Sequence, residues 1–134
     1  MTHPIQATTP VEVLERAIIL LSKEDAWTKG TMAKNPIGHN VQPYDQSASC
    51  FCTLGALERA ARGIIQPEDI GAFYAKEDAM NAEVAAANFV SDVLFGRRGV
   101  YSIPGFNDAW DTTHEEVISV LHQALADARV AAAV

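Results

Sequence analysis

The most reactive side chains in the sequence are two cysteine thiols separated by a single residue. Cys50 and Cys52 lie where a helix is predicted to begin, and free backbone N–H groups at a helix start lower the pKa of a thiol. A nucleophilic cysteine would also need a histidine base, and no spacing in the chain assigns one. Because cysteine is among the most often buried residue types, we interpret both as reduced thiols packed like small hydrophobic side chains.

Metal binding is the second chemistry that this segment suggests. Four residues of types that bind zinc lie within fourteen positions: His39, Asp45, Cys50 and Cys52. The usual separation of two to four residues between paired cysteines is absent, and helix positions two apart point away from each other. Both thiols could bind one ion only if Cys50 lies in the loop before the helix. We therefore expect no metal and no cofactor.

A second polar segment lies around Asn107 and Asp108, with Phe106 and Trp110 on either side. Asn and Asp commonly hydrogen bond nearby backbone, so we expect the pair to hold the turn before the last helix. Polar groups beside aromatic rings are also how a small-molecule pocket is built. If the chain has a site, its candidate residues are therefore His39, Asp45, Cys50, Cys52, Asn107, Asp108 and Trp110.

Several segments with helical periodicity position these residues. Helices are predicted over residues 10–23, from Ser47 or Ser49 to Arg62, from Asp78 to Phe95, and from Thr113 onward, with a further start at 66–69. The caps are Thr9 and Thr113, each with a glutamate three residues on, and glycines close the second and third helices at Gly63 and Gly96. Val84 is expected on the inward face of the third helix.

The long segment from Thr28 to Gln46 shows no sustained period and contains glycine and proline, so it is predicted to be a loop. Loops of this length are often functional or mobile, which makes this one the first place to look for a site. Residues 100–110 are predicted to be irregular as well, and Trp27 is expected to be largely buried. The predicted fold is one all-α domain over residues 1–134, an irregular bundle of four to five helices with the 28–46 loop across it.

Composition excludes several classes of function. The 134 residues carry a net charge of −7, which repels phosphate backbones and argues against nucleic-acid binding. The longest strongly apolar run, residues 17–21, is far too short to span a membrane. The first ten residues lack the pattern of a signal peptide. We therefore expect a cytoplasmic protein without a membrane partner.

The order of these features resembles a small bacterial and phage family catalogued as domain of unknown function 6197. The matching pieces are the opening helix leading to Trp27, the stretch Cys52-Thr53-Leu54-Gly55-Ala56-Leu57, the Asn107-Asp108 pair, and a final helix with Val117, Leu121 and Ala124. Phe106 stands where the family pattern has Trp. The resemblance implies a cytoplasmic bacterial or phage origin and brings no activity.

No recognisable catalytic set is present, so we interpret the chain as a non-enzymatic protein-binding or accessory domain that acts through a protein partner or as a homodimer. The alternative is a small enzyme or ligand-binding domain with a site between Cys52, the 28–46 loop and the Asn107-Asp108 turn. A deep pocket joining those three would favour the alternative. A large exposed apolar helix face would favour the partner.

Overall fold

The structure is a computed structural model that describes residues 6–69, 77–100 and 102–134. Within these ranges it contains five α-helices and one two-stranded antiparallel sheet: α1 Pro10–Leu20, β1 Ala33–Lys34, β2 Cys50–Phe51, α2 Thr53–Arg62, α3 Glu77–Arg98, α4 Ile103–Asp108 and α5 His114–Ala132. The predicted fold class, a mainly α irregular bundle, is confirmed. Among the helices in these ranges, none is long and apolar enough to cross a membrane.

The two predicted helix starts and their threonine caps are confirmed. The Thr9 hydroxyl accepts a hydrogen bond from the backbone N–H of Glu12 at 3.2 Å, and the Thr113 hydroxyl accepts one from Glu116 at the same distance. The Glu12 carboxylate accepts from the N–H of Thr8, the residue before the cap, whereas the Glu116 carboxylate binds Arg98. The threonine bonds satisfy backbone donors that the first turn of a helix leaves without partners.

Helix α2 begins at Thr53, later than predicted. Cys50 and Phe51 are extended instead, because they pair with Lys34 and Ala33 across the sheet. Cys52 then becomes the N-cap, and its sulfur accepts from the N–H of Gly55 at 3.2 Å. The predicted end at Gly63 is confirmed, with a positive φ of 74° and an N–H that bonds the carbonyl of Arg59.

Helix α3 runs past its predicted end at Gly96 and stops at Arg98. The terminating glycine is Gly99, whose φ is +71° and whose N–H bonds the Phe95 carbonyl at 2.9 Å. Val84 was expected to face inward but is 59% exposed. Further along the helix Val90, Val93 and Leu94 are buried as predicted.

Two further segments differ from their predictions. The stretch expected to be irregular over 100–110 contains α4, which begins after Ser102 with the Ser102 hydroxyl accepting from Gly105 at 3.0 Å. The helix start expected at 66–69 is a short 3-10 turn, Pro67–Asp69, and its continuation lies outside the described residues. Trp27 is half-buried, less than expected.

One core lies between α1, α2, α3 and α5, and α4 closes it at one end against α2 and α3. Large apolar side chains fill it, with alanines at the helix contacts: Leu14, Leu57, Leu94 and Leu121 with Ala17, Ala56, Ala61, Ala86 and Ala124, all fully buried. Such small side chains let helix axes approach closely. The buried alanines therefore form the packing surface between the helices.

The 28–46 loop touches the bundle at the first turn of α2. The carbonyl of Met32 accepts from the N–H of Cys52 at 3.1 Å. A Cβ placed on Gly55 would lie 2.1 Å from that same carbonyl oxygen. Gly55 is thus the position at which the loop backbone and the helix backbone meet, and a side chain there would push them apart.

Gly55→Ala should destabilise the protein although alanine is the better helix former. The overlap with the Met32 carbonyl has to displace backbone, so we expect a net loss of about 2 kcal/mol or more in the free energy of unfolding. Gly96→Ala is the matched control, because Gly96 also lies in a helix but has open space around it. That change should add up to about 1 kcal/mol. Urea denaturation measures both, and equal effects of the two substitutions would contradict the close approach.

Candidate functional site

The Asn107 side chain joins three segments that are far apart in the sequence. It is fully buried, and its Oδ1 accepts from the indole Nε1 of Trp27 at 2.7 Å, from the backbone N of Thr53 at 2.8 Å and from the Thr53 hydroxyl at 2.7 Å. Its Nδ2 donates to the Thr28 carbonyl at 3.0 Å and to Asp108 at 2.9 Å. Every donor of the amide is used, as burial requires.

Asp108 and its neighbour extend these contacts to the start of the loop. The Asp108 carboxylate accepts from the backbone N–H of Gly30 at 2.9 Å, and the ammonium of Lys29 donates to the Ala109 carbonyl at 2.6 Å. We call the residues that meet here, Trp27, Thr28, Thr53, Asn107 and Asp108, the Asn107 junction. It fixes the entry of the 28–46 loop against α2 and α4.

These bonds differ from the predicted role of the pair. Asn107 and Asp108 were expected to hold the turn before the last helix, but their partners in the loop and in α2 lie 54 to 80 residues away. The turn itself is held by backbone bonds, from Ala109 to the Phe106 carbonyl and from Thr112 to the Ala109 carbonyl. The hydrogen bonds of the pair therefore join distant segments of the fold, and not the turn that the pair was expected to hold.

Cys52 lies at the edge of the junction with its thiol enclosed. The side chain is 5% exposed, and its sulfur lies 3.8 Å from the sulfur of Met32. Burial raises the pKa of the Cys52 thiol by more than the N–H groups of the helix start lower it, and the charge of Asp108 raises it further. The thiol is therefore held protonated, which is the opposite of what a nucleophile needs.

The remaining candidate residues take no part in the hydrogen bonds of the junction. His39 is exposed, and the Asp45 carboxylate accepts from the hydroxyl and N–H of Ser47, which lower the pKa of Asp45. The Cys50 sulfur lies 4.0 Å from the Lys34 carbonyl, and Trp110 is 93% exposed. Among the described residues, no three His, Cys, Asp or Glu side chains are placed to hold one metal ion.

The three parts of the alternative site, which are Cys52, the 28–46 loop and the Asn107-Asp108 turn, pack directly against one another. Thr53 and Asn107 are fully buried, and Cys52 nearly so. A cavity of about 460 Å³ does open on the loop itself. Its lining includes Met32 and Asp45 but neither Cys52 nor Asn107. The alternative, a small enzyme or ligand-binding domain, stays a prediction.

Sequence reasoning missed several members of the junction. Thr53 contributes two donors to Asn107, and Trp27 contributes a third, yet neither was among the candidate site residues. The available signal was the resemblance, which included Trp27 and the stretch from Cys52 to Leu57. Lys29 and Gly30 carried no signal, because a lysine and a glycine in a polar loop have no pattern that reveals a partner 78 or 80 residues away.

Asn107→Ala should lower the free energy of unfolding by about 3 kcal/mol, because it leaves the Trp27 indole N–H and the Thr53 N–H without acceptors in the interior. Asp108→Ala should cost only about 1 kcal/mol, since that side chain is exposed and accepts from one backbone N–H outside its own helix. Asn40→Ala removes an exposed amide from the same loop and serves as the control. Unchanged stability in Asn107→Ala would contradict the junction.

The Cys52 thiol should react with a thiol reagent such as 5,5′-dithiobis(2-nitrobenzoate) only as fast as the protein unfolds, because it is buried and protonated. In denaturant the reaction should be fast. Cys50→Ala isolates the Cys52 signal, and Cys52→Ala isolates that of the half-buried Cys50. Rapid modification of Cys52 in the folded Cys50→Ala variant at neutral pH would refute the enclosed thiol.

Comparison with known proteins gives one match. Residues 6–127 match the model of a family of unknown function, DUF6197. No curated protein and no solved structure matches the chain. Three of the four short pieces that carried the resemblance, ending in Trp27, starting at Cys52 and comprising Asn107-Asp108, fall within the matched range and meet at the Asn107 junction. Because the match covers most of the sequence, the chain belongs to the DUF6197 family.

Proposed function

We propose that this protein is a non-enzymatic protein-binding domain whose contact surface is centred on Trp110. The observation that carries the proposal is the exposure of that indole, which is 93% open to solvent. An exposed tryptophan forgoes the large favourable free energy that its burial would release. Tryptophan is also among the residue types most enriched at the energetic centres of protein interfaces.

The backbone around Trp110 is held rigidly, which suits a preformed contact. Lys29 bonds the carbonyl of Ala109, and the N–H of Thr112 bonds the same carbonyl at 3.1 Å. The Asp111 carboxylate pairs with Arg98 at 3.3 Å, and Arg98 also binds Glu116. A backbone fixed in this way loses little conformational entropy on binding.

Charge around the indole favours a basic partner. Exposed carboxylates of Asp108, Asp111 and Glu115 lie close to it in the sequence, and the whole chain carries −7. The nearby cations are Lys29 and Arg98, and Arg98 pairs with Asp111. We therefore infer a partner protein with a basic surface, from which an arginine or lysine side chain stacks on the indole. A second copy of the chain is disfavoured as the partner, because two such acidic surfaces repel each other.

The junction supports this proposal by accounting for the alternative site residues in structural terms. Cys52 caps a helix and has a raised pKa, and the Asn107 side chain forms hydrogen bonds to other segments of the fold. We infer that the protein works in a reducing cytoplasm, because Cys50 and Cys52 are both free thiols. We infer a bacterial or phage origin, because the family resemblance implies that source.

Trp110→Ala should weaken partner binding by about 30-fold, corresponding to about 2 kcal/mol at an interface centre. The fold should be unaffected, since the side chain is almost wholly exposed. Val130→Ala is the matched control, because it removes an exposed apolar side chain far along α5. Val130 lies roughly 24 Å from the first residue of that helix, at 1.5 Å per residue. Proteins that bind the wild-type chain are identified, purified and titrated calorimetrically against all three forms.

Purified partners that bind Trp110→Ala as tightly as wild type would refute the surface. Sedimentation of the chain alone tests whether the surface binds a second copy of the chain. A concentration-dependent dimer that disappears in Trp110→Ala would assign the surface to a second copy and overturn the basic partner.

A further inference from the structure

A small apolar cavity of about 230 Å³ opens between α1 and the end of α2, remote in sequence from the Asn107-Trp110 turn. Its lining combines apolar side chains with two arginines: Arg16, Ile19, Leu20, Arg59, Ala60 and Gly63. Ile19 is 72% exposed, so a large apolar side chain stands open beside two positive charges. We call this cavity the Arg59 pocket.

Arg59 is a fixed, half-buried cation without a carboxylate partner. Its Nη1 donates to the carbonyls of Pro43 and Asp45 at 2.8 and 2.9 Å, and its guanidinium lies over the Phe51 ring at 5.4 Å. No described carboxylate lies within ion-pair distance of it, although Arg62 and Arg129 each bind one at 2.8 and 2.9 Å. The carbonyls and the ring hold the guanidinium in position without cancelling its charge.

Burial makes the uncompensated charge of Arg59 more costly. Removal from solvent lowers the pKa of Arg59, and the charge of the more distant Asp45 only partly raises it. Arginine nevertheless stays protonated at every physiological pH. An anion brought to the guanidinium would therefore replace solvation that the fold has removed.

Arg16 supplies the second positive charge at the pocket. Its Nη1 lies 3.5 Å from the Ala60 carbonyl, and its Nη2 lies 3.9 Å from the Glu12 carboxylate, at the outer limit of an ion pair. The other oxygen of Glu12 is already bound by Thr8 and Thr9. Two arginine residues thus line one apolar cavity in a protein whose overall charge is negative.

We propose that the Arg59 pocket binds a small organic carboxylate, with its charged group at Arg59 and Arg16 and its apolar body against Ile19 and Leu20. Guanidinium groups bind carboxylates through paired, charge-assisted hydrogen bonds, which gives the orientation. The volume lies below the roughly 300–1,000 Å³ of cavities for drug-sized ligands, so the ligand is a compact aromatic or branched aliphatic acid. This site does not depend on the Trp110 surface.

Benzoate is the probe, titrated into the full ¹⁵N-labelled chain and followed by amide chemical shifts. We expect saturable shifts at Ile19, Leu20, Ala60 and Gly63, and affinity at least about tenfold higher than for the uncharged isostere benzamide, which equals about 1.4 kcal/mol. Inorganic phosphate, an anion without an apolar body, should bind at least about tenfold more weakly than benzoate.

Two arginine variants test the assignment of the charge. Arg16→Gln should weaken benzoate several-fold and leave benzamide unchanged, and Arg59→Lys should do the same while keeping the charge that lies near the Pro43 and Asp45 carbonyls. Arg97→Gln, which removes an exposed arginine from the end of α3, is the matched control and should have no effect. Amide shifts away from the pocket report whether each variant is folded.

Three results would overturn the proposal: equal affinity for benzoate and benzamide, shifts that do not saturate or lie elsewhere, or an Arg16→Gln variant that binds benzoate like Arg97→Gln. Trp110→Ala should bind benzoate like wild type, so the outcome here is separate from that of the partner-binding surface.

Discussion

The arrangement of this protein depends on one buried amide. Asn107 accepts from α2 and from Trp27 and donates to the Thr28 carbonyl, so a single side chain fixes the relative positions of α4, α2 and the segment that follows α1. A buried polar group left without partners is expensive, so only the arrangement that satisfies all of its bonds is stable. The apolar core supplies attraction between helices, whereas the amide specifies one geometry.

The stretch from Cys52 to Leu57 has a structural explanation at nearly every position. Cys52 caps α2, Thr53 donates twice to Asn107, and Gly55 admits the Met32 carbonyl. Ala56 and Leu57 are fully buried in the core. A sequence pattern with two cysteines nearby suggests chemistry, but here it encodes the contact between a helix and a loop.

The same junction also positions the surface proposed to bind a partner. Lys29, held next to Thr28, donates to the carbonyl that precedes Trp110. Asp108, which bonds Gly30, lies two residues before the indole. The start of the 28–46 loop therefore holds the backbone of the Trp110 turn in place. The Arg59 pocket uses the other end of that loop, because the carbonyls of Pro43 and Asp45 orient its guanidinium.

The sequence by itself determined the fold class through its helical periodicity. It also determined the helix caps at Thr9 and Thr113 and the end of α2 at Gly63, because the hydrogen bonds at these positions join residues three or four positions apart. It also identified Cys52, Asn107 and Asp108, but not what they do. The pairing of Ala33 with Phe51 moved the start of α2, and the partners of Asn107 outside its own helix lie at least 54 residues away. Only tertiary structure decided these features, since periodicity and caps record interactions within one or two turns and carry no information about which distant groups will meet.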